Sequence, residues 1–242
     1  MQRRNFIKLL GTGAVVAISP SLIKGTLRAD DEMLFKAYEK VKLVDARGNS
    51  IKASELKKEV TYIFHYPHVG TPCLLIDMGE PTQKDIKLKS ESGEEYLWKG
   101  GIGENNSIVA YSGICSHQLS HPSPKQSFIK YIPKNEKTMA HKNGGVIVCS
   151  SHLRVFDANS GCKNLTNERE NPLASIVLEL DAKSDELYAV AILGPDKFQD
   201  YFKSFKSELK EFYDGRRKAK KHIQGQSTTI ELEKYSKQII AL

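Results

Sequence analysis

Short apolar, β-rich runs broken by polar and Gly-bearing stretches recur along residues 41–192, which predicts strands rather than helices. Val41–Ala46, Val60–Tyr66 and Cys73–Met78 are β-rich runs, cut by Gly48-Asn49, Gly70 and Gly79. The stretch 81–106 is polar and Gly-bearing, and reads as a loop or hairpin region ending in Gly100-Gly101-Ile102-Gly103. Ser107–Tyr111, Val146–Val148 and Val155–Asp157 are further strand-like runs, the last heading for a turn at Ser160-Gly161. Ser175–Leu180 and Leu187–Ile192 alternate well enough for a closing hairpin across Asp181–Glu186. After Pro195 the period changes. Phe198, Tyr201, Phe202, Phe205, Leu209 and Phe212 recur at helical spacing and predict one amphipathic helix that stops near Gly215. Such an aromatic stripe more often packs on its own domain than on a partner. Arg216–Lys221, with five basic residues in six, reads as a solvated linker, and Ile230–Leu242 as a further short helix.

Between the strands lie two boxes that carry chemistry, Cys115-Ser116-His117 and Cys149-Ser150-Ser151-His152, separated by residues 118–148. Each supplies one thiolate and one imidazole. Two Cys and two His are the ligand set of a Rieske [2Fe–2S] centre, in which histidines replace cysteines on one iron and raise its potential. Each box must then occupy a loop tip, with its Cys toward the inner iron and its His toward the outer one. The competing reading is a structural zinc site, since tetrahedral zinc accepts the same donors. Zinc fingers usually pair Cys with Cys and His with His, whereas each box here mixes them. The chain has four Cys and seven His. His121 reads as a loop or supporting residue, because the second box already completes the set. His65, His68, His141 and His222 lack a partner at ligand spacing and read as packing or surface residues. Cys73 and Cys162 read as free cysteines, buried or half-buried.

The amino terminus, Gln2-Arg3-Arg4-Asn5-Phe6-Ile7-Lys8, has the form of a twin-arginine export signal ahead of an apolar run from Leu9 to Ile18. That route carries folded proteins, which suits a cofactor inserted before export, and it predicts a periplasmic location. No Ala-x-Ala cleavage site follows the apolar run, so retention as an inner-membrane anchor stays open. Against it, Leu9–Ile23 is interrupted by Gly, Ser and Pro and falls short of the roughly 20 residues of a spanning helix. The formal charge of +7 is unevenly placed: Arg3, Arg4, Lys8, Lys24 and Arg28 supply +5 of it within residues 1–29, which hold no acid. The basicity thus belongs to the leader and to the tail after 195, and makes no case for nucleic-acid binding.

Longer stretches resemble one family. Tyr66-Pro67 with Thr71-Pro72-Cys73, the run from Gly100 through Asn105-Asn106 to Ser112, Phe156-Asp157, Glu170-Asn171-Pro172-Leu173 and Ile176–Glu179 look like the small Rieske subunit of arsenite oxidase. The resemblance covers about residues 60–193 together with the export signal. It implies a mainly β fold: a Rieske-type antiparallel β-sandwich with an inserted cluster-binding subdomain, plus a C-terminal helical extension. The corresponding division is a signal segment over 1–29, a Rieske domain over 30–195 with its cluster-binding part at about 107–173, and a charged helical tail over 196–242. The resemblance further implies one [2Fe–2S] cluster, with Cys115 and Cys149 on the inner iron and His117 and His152 on the outer. It implies a large molybdopterin-containing partner subunit, and a c-type cytochrome or copper protein as electron acceptor. No substrate chemistry is expected on this chain, so it has no catalytic residue, and the membrane is a partner only if the signal segment is retained.

Several positions depart from that pattern. Many Rieske proteins tie the two boxes by a disulfide whose positions here are Ser120 and Ser151, so no such bridge forms. Leu153-Arg154 follows His152 where a Ser often donates to a cluster sulfide, and Phe156 stands where high-potential relatives carry a Tyr hydroxyl. Loss of these donors predicts a potential in the middle or lower part of the Rieske span, about −150 to +300 mV, with Arg154 compensating in part if it points inward. Asn167-Glu168-Arg169 replaces the usual covering loop, and segment 118–148, rich in Pro and Lys, is expected to form a surface excursion. Three functions therefore compete: the electron-transfer subunit of an arsenite-oxidase-like complex, the Rieske subunit of a quinol–cytochrome c oxidoreductase, and a zinc-binding module. A ring-hydroxylating oxygenase is disfavoured, because the chain has no room for a second domain carrying a mononuclear iron triad.

Overall fold

The computed structural model describes residues 34–240, so the export signal expected over residues 1–29 lies outside them. The body contains β1 (Phe35–Val44), β2 (Tyr62–His65), β3 (Pro72–Asp77), β4 (Ile86–Lys89), β5 (Glu95–Trp98) and β6 (Ile108–Ser112). It continues with β7 (Gln126–Ser127), β8 (Ile129–Ile132), β9 (Val146–Cys149), β10 (Arg154–Asp157), β11 (Lys163–Asn164), β12 (Ser175–Asp181) and β13 (Glu186–Leu193). The tail adds α1 (Phe198–Ser204), α2 (Lys206–Tyr213), α3 (Arg216–Ala219), β14 (Gln226–Thr228), β15 (Ile230–Glu231), α4 (Leu232–Tyr235) and β16 (Gln238–Ile239). The molecule is mainly antiparallel β, as the β-rich runs predict.

Eight strands form one sheet in the order β14-β1-β13-β12-β6-β3-β2-β15. Its two end strands, β14 and β15, are separated in sequence only by Thr229. The opposite edges of the sheet must therefore meet, and the Ser227 hydroxyl joins them by donating to the His65 carbonyl at 2.8 Å. The sheet thus curls until its halves face each other. Alternation divides its side chains between the two faces. Leu43, Phe64, Leu75, Ala110 and Leu187 line the enclosed face and pack against Phe198, Tyr201 and Phe202 of the tail. Ile63, Leu74, Ile76, Val109 and Tyr111 point the other way.

On that second face sits a four-stranded sheet, β11-β10-β9-β8. Ile129, Tyr131, Ile147 and Phe156 attach it to the large sheet, together with Leu88 and Trp98 of the β4–β5 hairpin. The Tyr111 hydroxyl donates to the Ala158 carbonyl at 2.8 Å in this buried layer, linking the two sheets. The Gly100–Gly103 run is a tight turn against β6: a Cβ on Gly101 would lie 2.6 Å from the Asn106 carbonyl oxygen, so no other residue fits there.

Three expectations change. Segment 118–148 is only partly a surface excursion, because β8 inserts Ile129, Tyr131 and Ile132 into the core and pairs with β9. The aromatic stripe after Pro195 forms two helices. The chain breaks at Phe205 (φ −103°, ψ 39°) and stops at Asp214–Gly215, where the left-handed Asp214 closes α2. Residues 230–240 hold only one helical turn, flanked by β15, which pairs with β2, and β16, which pairs with β7.

Candidate metal centre

Box one begins where β6 leaves the large sheet. The Gly113 N–H donates to the Pro72 carbonyl, and the chain then turns sharply over residues 115–120. The Cys115 N–H donates to the Ser120 carbonyl at 2.8 Å, and the Leu119 N–H donates back to the Cys115 carbonyl at 3.0 Å. Leu119 takes a left-handed φ of 64° to close this turn. Box two is the tip of the β9–β10 hairpin, where Cys149 pairs in register with Arg154 and Leu153 has φ 51°. A third loop, 165–172, borders both boxes. The Ser116 hydroxyl donates to its Asn171 carbonyl at 2.7 Å, and Arg154 donates to the Glu170 carboxylate at 2.8 Å.

The four side chains picked from the sequence come together as two pairs, thiol with thiol and imidazole with imidazole. Cys115 and Cys149 are buried, at 1 % and 0 % exposure, whereas His117 is half-buried and His152 exposed. The two thiols are hydrogen-bonded to each other. The Cys149 bond pulls the Cys115 thiol below its ordinary range, with help from the N–H groups of His117 and Gln118 and the Arg154 cation. The same bond and burial push Cys149 up, opposed by donors from the Ser151 N–H and the Ser120 hydroxyl. The imidazoles of His117 and His152 stand edge to face, with centroids 5.1 Å apart. Burial, then the Arg154 cation, lowers the pKa of His117, which favours the neutral, metal-binding ring.

These residues fit a two-iron cluster. His117 Nδ1 is buried without any hydrogen-bond partner, the condition of a nitrogen reserved for a metal. Among the described residues no three His, Cys, Asp or Glu side chains converge on a single ion. The donors are instead arranged as a pair of thiols inside and a pair of imidazoles outside.

Arg154 does face the site, but Glu170 holds it. Glu170 also receives the amides of Asn164 and Asn167, so the cation is offset locally. The sequence shows both residues without signalling that they pair. Phe156 is fully buried and brings no hydroxyl. Cys73 and Cys162 are buried free thiols, and burial raises the pKa of each, which leaves them inert. His68 is buried against Phe202 and His222, and His65 packs on Tyr213 and Tyr235. The His141 ring donates within its own loop, to the Asn143 carbonyl. His121 is buried against the tail, on Tyr201 and Glu208.

A mainly β body presenting buried thiols behind outward imidazoles defines an iron–sulfur electron-transfer site. Residues 78–180 match the family model of the Rieske [2Fe-2S] domain, and they span both boxes. The chain carries a Rieske domain, and the cofactor of that domain is a Rieske-type [2Fe–2S] cluster. Among solved structures, the chain is similar to the soluble domain of the Rieske protein II from Sulfolobus acidocaldarius. That match has 20% identity and a TM-score of 0.44, covering 64% of this chain and 78% of that one.

Proposed function

We propose that Cys115, His117, Cys149 and His152 hold the cluster, and that the chain is the exported Rieske subunit of an arsenite-oxidase-like molybdopterin oxidoreductase. The observation that carries the electron-transfer reading is the exposed His152 beside two buried thiols, which would leave one edge of a bound cluster open to a partner. When bound, the cluster accepts and gives up single electrons. The protein's own residues orient it. The Cys149 and Cys115 backbones fix the inner edge, the Arg154–Glu170 pair sets the local charge, and the buried layer behind Tyr111 keeps water from the thiols. On this reading substrate is oxidised in the large molybdopterin subunit, and electrons leave for a periplasmic c-type cytochrome or copper protein. The twin-arginine motif supports export, with inner-membrane anchoring if the segment is retained. The resemblance over residues 60–193 supports the arsenite-oxidase branch.

Potential distinguishes this reading from a quinol-oxidising complex, which uses a high-potential cluster. With no hydroxyl at Arg154 or Phe156, a redox titration is expected to give a midpoint in the middle or lower part of the span of about −150 to +300 mV. A midpoint at the top of that span contradicts it. Native-scale purification from the producing cells is expected to bring down a molybdenum-containing large subunit. Recovery with a membrane cytochrome instead rejects the assignment.

A further inference from the structure

Box one runs directly into a segment that the C-terminal tail grips along its length. His121 has an acceptor at each ring nitrogen. Nδ1–H donates to the Leu119 carbonyl at 2.7 Å, and Nε2 faces the Glu208 carboxylate on α2. The ring is held edge-on between Tyr201 of α1 and Phe205 at the break between the two helices, each with its centroid 4.6 Å away. Four residues on, Lys125 pairs with Glu211 at 2.6 Å, and the Ser236 hydroxyl donates to the Ser123 carbonyl at 2.7 Å. Finally β16 lies parallel to β7, with Gln238 opposite Gln126.

This grip acts on the part of the chain where a disulfide is missing. Ser120 is covalently free, yet its neighbour His121 is fixed from the tail, and the connection to the ligand is short. Glu208 holds His121, His121 holds the Leu119 carbonyl, and the Leu119 N–H holds the Cys115 carbonyl. The same turn aims the N–H groups of His117 and Gln118 at the Cys115 sulfur. Such donors stabilise the reduced, more negative cluster, so their alignment sets both potential and retention.

We infer that the tail is the clamp of the first cluster loop, acting through Glu208 and the positioning residue His121 in place of a covalent tie. The inference rests on Cys115 and His117 being cluster ligands. Tail and cluster loop are then one functional unit, although 87 positions separate His121 from Glu208.

The test uses the full-length protein with its cluster, comparing wild type, Glu208→Gln, Glu208→Ala and, as a control on the tail surface, Lys218→Ala. Midpoint potential, the reduced EPR spectrum and the rate of iron loss to a chelator are read for each. Glu208→Ala is expected to lose iron roughly tenfold faster, the scale of a lost charge-assisted hydrogen bond, with a lower midpoint and broadened EPR features. Glu208→Gln, which keeps an acceptor of the same shape, should lose iron faster than wild type but by less than tenfold, and carries the test if the Ala variant does not fold. Lys218→Ala should match wild type. A Rieske signal in wild type whose potential and iron-loss rate are unmoved by both Glu208 changes overturns the clamp alone. A wild type with no such signal overturns the ligand reading, and the clamp with it.

Discussion

Replacing Cys149 with Ser leaves the chain without its cluster. Iron falls from about two per chain, the content of one [2Fe–2S] centre, to near zero, and the reduced EPR signal disappears. Cys149 is fully buried at the base of the β9–β10 tip and is hydrogen-bonded to Cys115, so the inner iron has no substitute thiolate within reach. Cys73 lies in the core on the opposite face of the large sheet, and Cys162, in the same core as Cys149, is a thiol that burial holds against ionisation. A hydroxyl is a poor ligand where soft sulfur is needed. The fold should survive, because Ser is of similar size and the surrounding Ile129, Ile147 and Phe156 still pack. Far-UV circular dichroism should therefore match wild type, and full iron retention in this variant would refute the assignment of Cys149.

Replacing His152 with Cys has a different expected outcome. The cluster stays and its midpoint falls by on the order of 100 mV or more, since Rieske centres lie at about −150 to +300 mV and all-thiolate plant-type clusters at about −400 mV. The reason is charge. A neutral imidazole becomes an anionic thiolate, which stabilises the oxidised cluster over the reduced one. His152 is exposed at the hairpin tip, so the smaller side chain meets no steric barrier there. An unchanged midpoint in a redox titration would show that His152 does not bind iron.

The strands and the two boxes are legible in the sequence because both are local signals. Short apolar, β-rich runs mark β2, β3 and β6, and period-2 alternation marks β12 and β13, to within a few residues. Two Cys-and-His boxes between such strands need no tertiary information to be paired. What the sequence hides is non-local. β14, β15 and β16 are two or three residues long, too short for any periodicity, and are strands only because β1, β2 and β7 pair with them. The β8 run alternates, but Pro122, Pro124, Pro133 and the Lys residues around it make it read as surface. Phe205 continues the helical stripe perfectly well in sequence. The break there, at φ −103° and ψ 39°, leaves no mark in that spacing. The Arg154–Glu170 pair is likewise invisible until the β9–β10 hairpin and the 165–172 loop are folded together.

The direct test of the central claim is low-temperature EPR on the dithionite-reduced, full-length protein, with iron and zinc quantified on the same sample. The account predicts a Rieske-type signal with about two irons and no zinc per chain. No signal, together with one zinc per chain, would contradict it and make the two boxes a structural metal site.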